Sequence, residues 1–355
     1  MYLVPDPAWK FGCGRYVQKP GAILDLKDEA ARAGSRALVL AGKNAWNAVR
    51  SLYPNALEGM EHVLCIHPGP CSREAAQAYA QEMQEKHLDV IVGIGGGKIM
   101  DLAKLTGEYA RMPVINVPTI CATCAAFTPL SVVYTPQGRA LGSWFFENEI
   151  ACLLVDTALL ARQPARYAFS GIADSMAKII EIGHNIQYTS RSVDMVFAQF
   201  TAQYLYDRLT SIALDLPGEL AKGEPSPLID ELCYLTIAVT GMVSGCARGQ
   251  GQSALAHGLY ESVRTLFTQE AADWLHGEIV GVGLRLQLAY DQKDLTALDE
   301  TMRRLGLPMH LRDIHVPETE EAYLAIAKEI AGMNLLSHEG DSQERVAEAL
   351  KQIQF

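Results

Sequence analysis

The 355-residue chain has no run approaching the roughly 18 apolar residues of a membrane span. Its first residues, MYLVPDPAWK, lack the apolar core of a signal peptide. Positive charge is scarce: 30 Lys and Arg stand against 41 Asp and Glu, a formal charge of −11. That balance excludes a broad surface for nucleic acid or acidic membrane, which needs clustered Lys and Arg. The eight cysteines are scattered, and several sit in apolar runs such as VLCI and ACLLVD. This is the usage of reduced, buried thiols and not of a secreted disulfide framework. Internal repeats, low-complexity segments and the GxSxG, HExxH and protein-kinase signatures are missing too. These absences predict a soluble, cytoplasmic protein with no nucleic-acid or membrane partner.

What remains is a chain that is 49% hydrophobic, enough for large cores. One core rarely serves more than about 250–300 residues, so two domains are expected. Up to residue 155, short apolar runs alternate with helical stretches: ALVLA (37–41), HVLCI (62–66), DVIVGI (89–94), PVINV (113–117) and ACLLV (151–155). That alternation predicts βαβ units and a parallel sheet covered on both faces. The stretch 130–146 differs, with two β-rich runs flanking Pro136-Gln137-Gly138, and reads as an inserted hairpin. From Asp156 onward only long helical periodicities appear. The expected division is an α/β domain over 1–160 and an all-helical domain over 161–355.

Two constellations could carry chemistry. Gly93-Ile94-Gly95-Gly96-Gly97-Lys98 follows a strong strand and opens a helix. Consecutive glycines let backbone approach a pyrophosphate, and free amides at the helix start favour anionic oxygens. The pattern is neither GxGxxG nor the Walker A loop. A second strand-to-loop junction, Val117 to Thr123, should line the same crevice, since open α/β sheets bind ligands beyond the carboxyl ends of their strands. In the helical half, Asp174 interrupts an apolar face, while His257 and His276 sit in SALAHGL and WLHGEIV. Two histidines and a carboxylate form a catalytic zinc or non-haem iron set. The 19-residue step between the histidines matches no local metal motif, so each, taken singly, reads first as a core or helix-end residue. His62, His67, His87, His184, His310, His315 and His338 read as surface or capping residues. Cys121 and Cys124 have CxxC spacing, open to a redox or zinc reading, yet no second pair follows.

Five segments in order, GGGKIMDLAK, PTICATCAAFTPLSVVYT, GIADSMAK, ALAHGL and LHGEIVGVG, resemble the iron-containing alcohol dehydrogenase superfamily in its glycerol dehydrogenase-like branch. The resemblance spans essentially the whole chain. It implies a Rossmann-like α/β domain plus an all-α domain, the dehydroquinate synthase-like fold, with NADP or NAD in the cleft between them. By that resemblance Gly95, Gly96, Gly97 and Lys98 hold the pyrophosphate, and Thr119, Ala122, Thr128, Leu130 and Tyr134 make further cofactor contacts. Asp174, His257 and His276 become catalytic ligands of one divalent metal, Zn2+ or Fe2+, with His257 also facing the substrate. A homo-oligomer is implied as well.

Three departures sharpen the reading. Where NAD-using glycerol dehydrogenases end the first strand in an Asp, this chain has Gly42 and then Lys43. Gly plus Lys leaves room and a counter-charge for a 2′-phosphate, so NADPH should serve at least as well as NADH. Where glycerol dehydrogenases read S-T-D, this chain reads A-T-C, placing Cys124 at the expected substrate contact and removing the handle for a polyol. The run ATCAAFTPLSV instead resembles 2-hydroxycarboxylate dehydrogenases. Tyr260 stands where glycerol dehydrogenases carry another His. The expected function is metal-dependent, NAD(P)-linked hydride transfer on a 2-hydroxy or 2-oxo acid. The alternatives are glycerol/dihydroxyacetone oxidoreduction and a dehydroquinate synthase-like lyase, whose several substrate-binding cations do not cluster at these motifs. Lys178, one turn beyond Asp174, is a candidate cation for a substrate carboxylate, against a reading as a solvated helix lysine.

Overall fold

The computed structural model describes residues 12–146, 148–188, 192–247, 249–336, 339–340 and 342–354. They form two compact units. The first holds the described residues up to Gln163 together with Lys222–Gly245, and the second holds Pro164–Ala221 and the chain from Cys246 onward.

The first unit is built on a six-stranded parallel sheet of β1 (Cys13–Lys19), β2 (Arg36–Ala41), β3 (Glu61–Ile66), β4 (Val90–Gly95), β5 (Val114–Pro118) and β8 (Ile150–Asp156). Their order is β1-β8-β5-β4-β2-β3. The β-branched runs form strands because both faces are covered. Val39, Val92 and Ile94 enter one core, while Leu38, Leu40 and Ile91 enter another with Leu102 and Leu105. The 130–146 stretch is an antiparallel hairpin of β6 (Leu130–Tyr134) and β7 (Ala140–Phe145), as its turn residues require. Strand β1, half-exposed at the sheet edge beside β8, carries no long apolar run and escaped the sequence reading.

The expected single boundary at residue 160 needs correction. Chain from the helical half returns to the α/β unit as an α-helix (Pro227–Cys233) running into a π-helical turn (Tyr234–Val239) and a further helix. Ile229, Leu232, Leu235 and Ile237 are buried there, and Gln18 donates to the Asp230 carbonyl at 2.7 Å. The segment Pro227–Ala247 is long and apolar enough to cross a membrane by composition, yet 67% of its window is buried inside the protein. Helical periodicity says that a segment needs a core and not which core receives it.

Every regular element among the described residues of the second unit is a helix. The Ala165–Asn185 helix packs against Leu255–Leu266 and His276–Tyr290, over a core that includes Leu255, Leu259, Ile279, Val282, Ile326 and Leu350. Two glycines allow backbone to touch backbone. A Cβ on Gly277 would lie 1.8 Å from the Ser170 carbonyl oxygen, and one on Gly283 2.5 Å from that of Ala256. These approaches bring three helices together around one point.

Candidate active site

In the first unit, three strand ends lie side by side. The Gly42 amide donates to the Ile94 carbonyl at 3.2 Å, and the Thr119 amide to the Gly95 carbonyl at 2.9 Å. Gly42, the 95–97 turn and Thr119 therefore share one edge of the sheet. Gly95 is buried, and a Cβ on it would lie 2.8 Å from the Ile99 Cβ, so it sets the helix-to-strand spacing. Gly96 caps the Gly97–Ala110 helix, while Gly97 and the exposed Lys98 form its first turn, where amides have no intrahelical acceptor. Gly42 caps the Lys43–Leu52 helix with extended backbone. A Cβ there would meet only ordinary contacts, Ile99 Cγ1 at 3.5 Å and Ala45 Cβ at 3.7 Å. Lys43 is exposed beside it.

The loop after β5 is fastened from below by residues the sequence reading missed. Lys104 is buried, and its ammonium donates to the carbonyls of Ala125 (2.6 Å), Thr128 (3.0 Å) and Leu130. It also pairs with Asp101 at 3.0 Å. The Asp101 carboxylate accepts the Val132 amide at 3.2 Å, and its carbonyl accepts the Ser131 hydroxyl at 2.8 Å. The helix that starts at the glycine turn thus holds the segment carrying Ala122, Cys124, Thr128, Leu130 and Tyr134. Thr128 is buried and its amide donates to the Cys124 carbonyl at 3.2 Å, while the Tyr134 amide donates to the Cys71 carbonyl at 2.8 Å. The signal was a Lys and an Asp three apart inside the apolar face of DLAKL.

The CxxC spacing marks two different environments. Cys121 is buried against Gln163, whose side-chain amide donates to its sulfur at 3.0 Å. Cys124 is half-buried, with its sulfur 3.9 Å from the Ser244 hydroxyl.

In the second unit, the structure brings Asp174, His257 and His276 together, with one donor atom of each within 4.8 Å of the others. Asp174 comes from the middle of the Ala165–Asn185 helix, His257 from the first turns of Leu255–Leu266, and His276 from the start of His276–Tyr290. Asp174 Oδ1 stands 3.1 Å from His276 Nε2 and 3.6 Å from His257 Nε2. Burial alone would raise the Asp174 carboxyl, but the two imidazoles and Lys178 hold it well below the usual carboxylate range. Two nitrogens and one oxygen converging on a point are the donor set of a catalytic divalent metal, zinc or iron.

Glu181 was also missed. It is fully buried, with Oε2 2.5 Å from His257 Nδ1, and Oε1 accepts the amides of Ala254 (2.7 Å) and His257 (3.0 Å). Its carboxylate turns His257 so that Nε2 faces Asp174. Burial opposes a charge on His257, yet Glu181 and Asp174 override it and push the imidazole up to about 9. Seven residues after Asp174, Glu181 lies on the same helix face, which was its only signal. His276 is supported differently. Glu278 caps its helix through the Leu275 amide at 2.7 Å and takes both arms of Arg166 at 2.5 and 2.6 Å. The Tyr260 ring packs edge-on against His276 with centroids 4.1 Å apart.

Two expectations change. Lys178 is buried and donates to Gln252 at 3.4 Å, so it is not a solvated helix lysine. His184 is buried against Asp291 at 2.8 Å rather than lying at the surface. His338 lies outside the described residues.

Residues 13–156 match the model of the iron-containing alcohol dehydrogenases. Over 317 residues the chain is 30% identical to hydroxycarboxylate dehydrogenase A of Escherichia coli (strain K12), covering 88% of this chain and 86% of that protein. It is 28% identical over 342 residues to glycerol dehydrogenase of Thermotoga maritima, covering 92% and 90%. The solved structure of a probable glycerol dehydrogenase from Sinorhizobium meliloti 1021 shares the fold, with a TM-score of 0.85 at 22% identity and 98% of each chain covered. The chain thus belongs to the iron-containing alcohol dehydrogenase family, in its glycerol dehydrogenase-like branch, and is a metal-dependent, NAD-linked alcohol oxidoreductase.

Proposed function

We propose that the enzyme interconverts a 2-oxo acid and a 2-hydroxy acid, using NADPH at least as well as NADH. The observation that carries the chemistry is the convergence of Asp174, His257 and His276 on one point, which we assign as the metal ligands. The reaction balances as 2-oxo acid, reduced nucleotide and one proton giving 2-hydroxy acid and oxidised nucleotide; a bound nicotinamide would supply the hydride and solvent the proton. A divalent metal bound by these ligands supplies Lewis acidity to the substrate oxygen.

The chain's own residues do the rest. Glu181 fixes the ring of His257, and Glu278 with Arg166 fixes the start of the helix that carries His276. Gly96, Gly97 and Lys98 offer backbone amides to a pyrophosphate, with Thr119, Ala122, Thr128, Leu130 and Tyr134 as further cofactor contacts. Gly42 leaves open the place from which an acid would repel a 2′-phosphate, and Lys43 adds a positive charge beside it. Cys124 supports the acid over the polyol, because a half-buried thiol beside Ser244 is a poor partner for a glycerol hydroxyl. We place the enzyme in the cytoplasm as a homo-oligomer.

A polyol is the second reading, favoured by the glycerol dehydrogenase from Thermotoga maritima among the relatives. Initial rates with NADPH and NADH on zinc- and iron-loaded protein separate the two. Pyruvate-type 2-oxo acids should exceed dihydroxyacetone in kcat/KM, and a chelator should stop both. The reverse order would establish the polyol reading. Absence of nucleotide oxidation with any carbonyl would leave a lyase.

A further inference from the structure

We infer that Lys178, steadied by Gln252, is the anchor for the substrate carboxylate beside the metal-ligand cluster. The inference rests on the 2-oxo acid reading above and names the residue that would enforce it.

Lys178 lies one turn after Asp174 on the Ala165–Asn185 helix, where residues four apart are surface neighbours. Its residue is only 6% exposed. An ammonium carries three donors, and a buried charge is costly unless those donors are matched. Among the described residues its one hydrogen bond is to Gln252 Oε1, long at 3.4 Å and to a neutral group. The contrast with Lys104 is direct, since that buried ammonium has three carbonyls and a carboxylate around it.

The nearby acids are already committed. Asp174 faces the two imidazoles at 3.1 and 3.6 Å. Glu181 spends both oxygens on the His257 ring and on two backbone amides. With a divalent ion on the cluster, these two carboxylates balance the ion and Lys178 remains as a surplus positive charge. A monoanionic 2-oxo acid neutralises that surplus, whereas glycerol or dihydroxyacetone does not. Gln252 sits five residues before His257 in the segment that Glu181 and Asn185 pin through Ala254 and Ser253, so the cation is held at the same junction as the ligand.

The test uses the full-length, zinc-loaded enzyme and two substrates that differ in one group, pyruvate and hydroxyacetone. In Lys178→Met the ratio of their kcat/KM values should fall by about 100-fold, the scale of losing a hydrogen bond to a charged group, and Lys178→Arg should recover part of it. Oxamate, added with NADPH, should raise the thermal midpoint of the wild type and not that of Lys178→Met. Zinc affinity, read by chelator competition, should stay within about threefold of wild type.

A ratio unchanged within twofold in both Lys178→Met and Lys178→Gln overturns the inference. Loss of zinc binding in those variants also overturns it, by making Lys178 part of the support of the cluster. A wild type that reduces hydroxyacetone but not pyruvate defeats the 2-oxo acid reading itself, and this inference with it. That result appears before any variant is made, so the two failures are distinct.

Discussion

The glycine turn of the first unit and the ligand cluster of the second are built on opposite plans. The turn is contiguous in sequence and offers mainly backbone, so its side chains matter chiefly for what they leave out. The cluster gathers side chains from positions 174, 257 and 276, and its two histidines are supported by further groups: buried Glu181 for His257, and Glu278 with Arg166 for the helix of His276. A backbone site is maintained by spacing, a side-chain site by a supporting network. The two should therefore fail differently when single residues are changed.

The largest expected contrast is the loss of a ligand. His276→Ala should lower kcat/KM by about 1,000-fold or more, on the scale of several kcal/mol attributed to a polarising metal. It should also abolish the rise in thermal midpoint on adding zinc, because a ligand stabilises only the state that binds it. NADPH affinity, measured by fluorescence titration, should be retained, since the turn is made elsewhere in the chain. Zinc stabilisation that survives the substitution would remove His276 from the ligand set.

The next step sharpens the supporting role. Glu181→Gln keeps an oxygen to accept the amides of Ala254 and His257 but removes the charge facing His257 Nδ1. Zinc affinity by chelator competition should weaken about 10- to 100-fold, the usual effect of losing a carboxylate behind a metal-bound histidine. The wild-type affinity would make Glu181 a structural cap for the 254–257 turn and nothing more.

The same contrast explains what could be read in advance. Strands β2, β4, β5 and β8 are runs of apolar, often β-branched residues between turn signals, and a sheet buried on both faces demands that composition. The glycine turn was legible because its residues are adjacent. The ligand triad was not legible from spacing and came from the resemblance, since nothing local records which helices will meet. Lys104 and Glu181 were missed, and Lys178 was left open to a solvated reading, for a shared reason. A charged residue in a helical run normally marks the solvent face, and only the packing of a second segment shows that it is buried. The segment Lys222–Gly245 was placed with the helical half because its period carries no address.

Within the turn, two glycines on either side of Gly96 should separate packing from binding. Gly95→Ala places a Cβ 2.8 Å from that of Ile99, a fixed branched position. It should cost about 1–3 kcal/mol of stability, as overpacking does, and lower the thermal midpoint. Gly97→Ala meets Thr123 Oγ1 at 3.3 Å, which a small rotation relieves. It should leave the midpoint within a degree or two while weakening NADPH binding severalfold. Equal losses of stability in both would mean that the whole turn serves packing.

The smallest expected effect tests what glycine leaves out. Gly42 has backbone angles open to any residue, and a Cβ there makes only ordinary contacts at 3.5 and 3.7 Å. Sterics therefore do not require glycine, and Gly42→Asp should fold as the wild type does. The new carboxylate would accept hydrogen bonds from an unmodified ribose and repel a 2′-phosphate. The ratio of kcat/KM for NADPH over NADH should fall by about tenfold, or 1.4 kcal/mol. Lys43→Ala should move the same ratio in the same direction by less, because an exposed charge is screened. If both variants keep the wild-type ratio, nucleotide choice is not made at this strand end, and the open place beside Gly42 is a feature of packing alone.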